Sequence, residues 1–437
     1  MNYSDVVKRR LWEIVEDMKK CPWLFSKNPD KDFQRKKKWD LESMMKFMLT
    51  MEGRSMKEEL YKFFEYSDNL PSNSAFNQRR EQLLPEAFEF LFHEFTESFS
   101  AKMKTYCGYR LLACDGSDLN IARNPDDPDT YFQSLPNDKG FNQLHLNALY
   151  DLNSRCYIDA IIQPGRCENE AKAMCSMIDR YSGIEKTIFI ADRGYENYNI
   201  FAHAERKGMN YLIRVKDVYS NGITSACDLP DSEEFDVRLS LTLTRKQTKE
   251  VKENPQKYRI IMKATPFDYL DLYTNKYYDI TMRILRFEIS EGKFECIITN
   301  LPEEEFNIKE IKELYHKRWG IETSFRELKY AVGMTCFHAR KVDYIKQEIW
   351  ARLVLYNFCE IITTQVSIEK KNTKYDYQLN YTIAIHICRY FLSIKPNKVP
   401  PDVETLISKE LLPVRPGRHD PRKVKPQSTV SFLYRAA

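Results

Sequence analysis

Apolar and polar positions follow different periods in different parts of the chain. From residue 109 to 216 the apolar residues come in short blocks. YRLLAC (109–114), QLHLNALYDL (143–152), CYIDAIIQ (156–163), TIFIADRGY (187–195) and MNYLIRVK (209–216) read as strands, and Asn-Ser-Arg makes a hairpin turn between the second and third. ENEAKAMCSMIDRY and the stretch from Tyr195 to about Gly208 read as helices. From 217 to 293 the strand signals continue in EFDVRLSLTLT, KYRIIMKA and YYDITMRILRFEIS, a β-rich insertion, and KFECIITNLP (293–302) returns the chain to the core. The head, residues 1–105, has helical spacing. Leu41–Met51 and Met56–Glu65 are two short helices, and Ser72 can cap a third, SNSAFNQRREQLL. Residues 311–330, IKELYHKRWGIETSFRELKY, predict a helix, followed by a core helix over 342–366 and another over 379–392.

Composition narrows the class. Apolar residues make up 43% and charged residues 30% of 437 positions, as in a globular protein of two or three domains. No run of 18 apolar residues predicts a membrane span. The N-terminus has no signal-peptide pattern. Eleven scattered cysteines without a Cys-x-x-Cys pair predict reduced thiols in a cytoplasmic protein. The net charge of +4 is mild, and its distribution says more. Arg35, Lys36, Lys37 and Lys38 form a basic run. Arg415, Arg418, Arg422, Lys423, Lys425 and Arg435 stand against one acid, Asp420, in a proline-containing tail. The tail reads either as a solvated arm or as a phosphate-contacting one.

The helix over 311–330 carries the chemistry. At ~100° per residue, Tyr315, Arg318, Glu322 and Lys329 fall within an arc of about 60°. Leu314, Ile321, Phe325 and Leu328 form an apolar stripe beside them. A charged row at the border of a packed face needs partners. Two further carboxylates follow apolar runs. YRLLAC leads into Asp115-Gly116-Ser117-Asp118, and TIFIA leads into Asp192-Arg193-Gly194. Each reads either as a turn or as an acid at a strand end, where α/β sheets hold ligands. Asp118 rivals Asp115, which is preferred because it directly follows the apolar run. Three strands, helix, strand, helix, strand is the order of a ribonuclease-H-like fold. There the first and fourth strands are neighbours, and Asp115 and Asp192 would lie side by side. Two adjacent carboxylates repel and call for a cation.

Tyr315-x2-Arg318-x3-Glu322-x6-Lys329, with Trp319 and Ile321 in place, resembles the signature of bacterial insertion-sequence transposases of family four, in the DDE superfamily. Asp-Gly-Ser and Ala-Asp-Arg-Gly-Tyr resemble that family's two aspartate motifs. The resemblance implies an α/β ribonuclease-H-like catalytic core (106–216 and 294–366) with a β-rich insertion (217–293). It also implies an N-terminal all-α DNA-binding domain (1–105); residues 367–437 read as a helical region and basic tail. Asp115, Asp192 and Glu322 would hold two Mg²⁺ ions, with Mn²⁺ able to substitute, Asp115 bridging and each of the others completing one metal site. Tyr315, Arg318 and Lys329 would contact the transposon end, Trp319 would stack on a base, and Arg193 would reach a phosphate. In the head, Arg79 and Arg80 on the third helix would contact DNA. The implied activity is cut-and-paste transposition: binding of inverted repeats, cleavage, and joining of 3′-hydroxyl ends to target DNA, by a homodimer in the synaptic complex. The implied setting is the bacterial cytoplasm, at the nucleoid.

Overall fold

The computed structural model describes residues 2–34, 38–273, 276–368, 376–395 and 398–414. The calls on Arg35, Lys36 and Lys37, and on the tail from Arg415 onward, lie outside the described residues. Five helices come first: α1 (Tyr3–Lys20), α2 (Leu41–Thr50), α3 (Met56–Phe63), α4 (Asn73–Arg80) and α5 (Glu86–Glu97). Ser72 caps α4 as expected, its hydroxyl accepting from the Ala75 amide.

The sheet starts with β1 (Tyr109–Ile121), β2 (Tyr131–Phe132), β3 (Phe141–Asp151) and β4 (Cys156–Pro164). After α6 (Glu170–Arg180) come β5 (Lys186–Ala191), α7 (Tyr198–Arg206) and β6 (Asn210–Val215). β4 pairs with β3, and the order β3-β1-β5-β6 follows. β3 and β4 run antiparallel to their neighbours, whereas β1, β5 and β6 are parallel. This is the connectivity expected from the sequence. β5 is buried along all but its first residue, which explains its unbroken apolar run.

The insertion does not stand apart from this sheet. β7 (Phe235–Thr244), α8 (Lys249–Glu253), β8 (Tyr258–Ile260), β9 (Tyr277–Ser290) and β10 (Lys293–Thr299) extend it in the order β6-β10-β9-β7-β8. β10 returns antiparallel to β6 and leads into α9 (Ile308–Lys317) and α10 (Trp319–Tyr330). The expected single helix is therefore two segments joined at Arg318, whose backbone stays in the α region (φ −51°, ψ −34°). The remaining elements are α11 (Val342–Thr363), β11 (Tyr377–Leu379), α12 (Tyr381–Ser393), α13 (Val403–Lys409) and β12 (Leu411–Pro413).

The head and the C-terminal helices share one core. Leu11, Met44, Phe47, Phe92 and Phe95 pack in the same apolar cluster as Ile349, Leu353, Phe358, Ile385 and Val403. α11 is buried nearly all round, so it acts as the axle between head, sheet and C-terminal helices. No helix among the described residues is long and apolar enough to cross a membrane.

Candidate active site

Register brings the two aspartates together. The parallel pairing of β1 with β5 ends at Cys114 opposite Ala191, so Asp115 and Asp192 are the next residues on neighbouring strands. β1 itself runs on to Ile121, paired only with β3, so Asp115 sits at the end of the parallel ladder rather than at the end of the strand. Side chains alternate along a strand. Ala113 packs toward α10 and α11, whereas Leu112 and Cys114 pack toward α6 and α7. Asp115 therefore shares the α10 face.

The helix supplies the third acid. Ile321, Phe325 and Leu328 bury the predicted stripe against the sheet, and Leu314 packs in the cluster under α9. A Cβ on Gly320 would meet Leu152 at 3.0 Å, so the start of α10 lies close against the end of β3. This docking brings Glu322 and Arg318 over the strand ends. The Arg318 guanidinium donates to Glu322 at 2.8 Å and lies 3.8 Å from Asp115. Asp115 also accepts from the Gly116 amide at 2.9 Å, and Asp192 from the Gly194 amide at 2.7 Å. Burial pushes the Asp115 carboxyl up to about 6. The Gly116 amide and Arg318 oppose the rise, and Asp192 and Glu322 add to it.

Around the acids stand groups with unused hydrogen-bonding capacity. The Tyr315 hydroxyl and Arg318 Nε are buried without a hydrogen-bond partner. Burial pushes the Tyr315 phenol up to about 12, so it remains a donor at neutral pH. Arg318 is buried and its charge is held by Tyr315, Glu322 and Asp115 against desolvation. Lys329, one end of the predicted row, is half-buried, and Asp118 is the acid that acts on its charge. Its pKa falls through burial, with Asp118 opposing. Trp319 is 47% exposed. Arg193 is exposed beside Asp192.

Arg79 and Arg80 do not form a DNA-facing surface. They are 6% and 0% exposed. Arg79 donates to the Trp39 carbonyl and to Gln82, and stacks 4.4 Å from the Phe33 ring. Arg80 pairs with Glu348 of α11 at 2.9 Å and donates to Gln347. The physical reason is helix geometry. Arg79 and Arg80 lie three and four residues after the core residue Phe76, so they share its buried face. The exposed side of α4 carries Ser74, Asn77 and Gln78.

The motif reading missed an acidic network on the other sheet face. His145 of β3 lies opposite Asp118 of β1 and touches Asp118, Glu168 and Glu170. A Cβ on Gly116 would meet Glu170 and His145 at 2.2 and 2.4 Å, so the network packs directly against this glycine and would have to shift for any larger residue. No residue spacing marks the group, because its members come from β1, β3, the turn before α6 and the first residue of α6.

Comparison with known proteins identifies the family. The family described as transposase DDE domain matches residues 106–358. The transposase InsG for insertion sequence element IS4 of Escherichia coli (strain K12) is 24% identical over 416 residues, covering 90% of this chain and 86% of that protein. Among solved structures, the cryo-EM structure of the piggyBac transposase synaptic complex with hairpin DNA is similar at a TM-score of 0.47 and 10% identity. The match covers 95% of this chain and 87% of that one.

Proposed function

The chain belongs to the transposase DDE domain family, and from that premise we propose that it cuts and pastes DNA. It binds the inverted-repeat ends of its element, cleaves them and joins the 3′-hydroxyl ends to target DNA. The observation that carries this reading is the β1–β5 register, which sets Asp115 beside Asp192 under Glu322 and Arg318.

Three carboxylates with a single guanidinium leave excess negative charge in a partly buried site, and all their donor atoms are hard oxygens. That set fits Mg²⁺, or Mn²⁺ in its place, better than a thiolate- or imidazole-seeking ion. Asp115, Asp192 and Glu322 would hold two such ions. When bound, these supply Lewis-acid stabilisation at the attacking and leaving oxygens of a phosphodiester. The chain's own groups bind and orient the DNA. The Tyr315 hydroxyl donates to a phosphate oxygen. Arg318 offers the N–H that lacks a partner, and Lys329 adds charge at the far end of the row. Exposed Trp319 stacks on a base, Arg193 reaches a flanking phosphate, and Ser74, Asn77 and Gln78 are the face of α4 open to DNA. Two ends must be held together for joining, so a homodimer works on DNA.

The test uses purified protein, Mg²⁺, linear DNA carrying the gene with its native flanks, and a supercoiled target plasmid. Cuts at paired inverted repeats, with joined products lost in Glu322→Gln, support the reading. Cutting without joining reduces the protein to a nuclease, and binding without cutting in Mg²⁺ or Mn²⁺ removes catalysis from it.

A further inference from the structure

We propose that Asp118, His145 and Glu168 form a separate divalent-cation site, on the sheet face opposite Asp115, suited to Mn²⁺ or Zn²⁺. The alternation that aims Asp115 at α10 aims Gly116 and Asp118 the other way, toward α6. His145 and Asn147, cross-strand partners of Asp118 and Gly116, share that face.

Proton counting favours a cation. His145 is 6% exposed. Its Nδ1 lies 2.8 Å from Asp118 Oδ1 and 3.1 Å from Glu168 Oε2, and its Nε2 lies 3.1 Å from Glu170 Oε1. An imidazole carries at most one proton on each nitrogen. Nδ1 can therefore donate well to only one of the two acids that crowd it. The three donor atoms lie within 4.8 Å of one another, close enough to share one ion. A divalent cation in place of the Nδ1 proton would serve both acids and the nitrogen together. Glu170 accepts from Nε2–H, the arrangement that orients a ligating histidine and leaves the Nδ1 lone pair for the metal.

Asn147 is an independent sign of a missing partner. It is fully buried, and its Nδ2 donates to Gln163 at 3.0 Å. Its Oδ1 is buried without a partner. On the same face as His145 and one residue pair along, that acceptor suits an ion's outer shell, where a ligated water donates. An imidazole nitrogen among the ligands favours Mn²⁺ or Zn²⁺ over Mg²⁺. Its ligands are distinct from the three acids across the sheet, although Gly194 lies between Asp192 and the Glu170 that orients His145.

The test removes those acids first. In the Asp115→Asn, Asp192→Asn, Glu322→Gln triple variant, Mn²⁺ is titrated and the free ion is followed by electron paramagnetic resonance. One Mn²⁺ per chain is expected to remain bound. Adding His145→Gln should weaken that binding at least about tenfold. Should His145→Gln fail to fold by circular dichroism, Glu168→Gln, a change at a half-exposed side chain, is expected to give the same loss. A triple variant that binds no Mn²⁺, or binding unchanged by Glu168→Gln and His145→Gln, would overturn the site.

Discussion

Buried charge is handled in different ways in two regions of this molecule. Along α11 most buried charges meet an opposite charge; Arg352 is held by the Met51 and Glu52 carbonyls instead, and burial still pushes the Glu360 carboxyl up. Arg80 pairs with Glu348, and Arg155 pairs with both Glu327 and Glu360 while lying 3.6 Å from the Tyr381 ring. Glu348 also accepts from the His338 amide. Burial alone would raise the Glu348 carboxyl, yet Arg80, His338 and Arg352 hold it at about 2. At the end of the parallel ladder, Asp115 goes the other way, to about 6, because burial outweighs the Gly116 amide and Arg318, and Asp192 and Glu322 add to the rise. The α11 pairs clamp the helical head to the sheet. The three acids at the ends of the parallel ladder are left short of positive charge, an environment common at functional sites.

The largest test of this contrast is functional. Asp192→Asn or Glu322→Gln should lower DNA cleavage on the order of 10³-fold or more, measured as released ends, while the thermal midpoint stays close to that of the parent. A fall in folding stability to match would mean these acids are structural, like Glu348.

Next in size is Glu348→Gln, which leaves Arg80 buried without its counter-charge. It should cost about 3–5 kcal/mol in urea unfolding. The same chemical change at Asp115 should have the opposite sign. In metal-free buffer at pH 7, Asp115→Asn should stabilise the fold by about 1–2 kcal/mol. A shift to about 6 converts to at most about 3 kcal/mol, discounted because the side chain is 21% exposed. Added Mg²⁺ should then stabilise the parent more than the variant.

The pH dependence follows from the same pair. A carboxyl with a raised folded pKa gives stability below its unfolded value that fades as pH climbs through the folded one. Stability from Asp115 should thus decline between about pH 4 and 6. Glu348 has a depressed folded pKa. Its contribution holds above about pH 4.5 and is lost as pH falls toward 2. Urea midpoints of parent, Asp115→Asn and Glu348→Gln across pH 3–7 separate the two.

The smallest stability effect belongs to Trp319→Ala. The ring is half-exposed, so unfolding should move by about 0.5 kcal/mol or less. Cleavage should nevertheless fall, and unchanged cleavage would remove its stacking role.

Much of the fold was legible in the chain. Short apolar blocks marked β3 to β6, and period-3.6 spacing marked α10 with its buried stripe, because burial writes itself into local pattern. The three acids were legible for the same reason, as polar residues directly after apolar runs or beside an apolar stripe. Arg79 and Arg80 were misread, although their spacing from Phe76 placed them on the buried side. Their charge suggested a surface, and their counter-ion Glu348 is far away in sequence.

By itself, then, the sequence determined most of the strands and helices, and singled out three acids and one polar row as candidates for phosphate chemistry. The tertiary structure alone decided that β7 to β10 extend the central sheet, that the head shares its core with α11 to α13, and that Asp118 meets His145 and Glu168 behind the strands. The physical reason is range. Periodicity records whether a residue faces the core, which is a local fact. Which element lies across from it depends on strand register and helix docking, set by contacts between residues far apart in the chain.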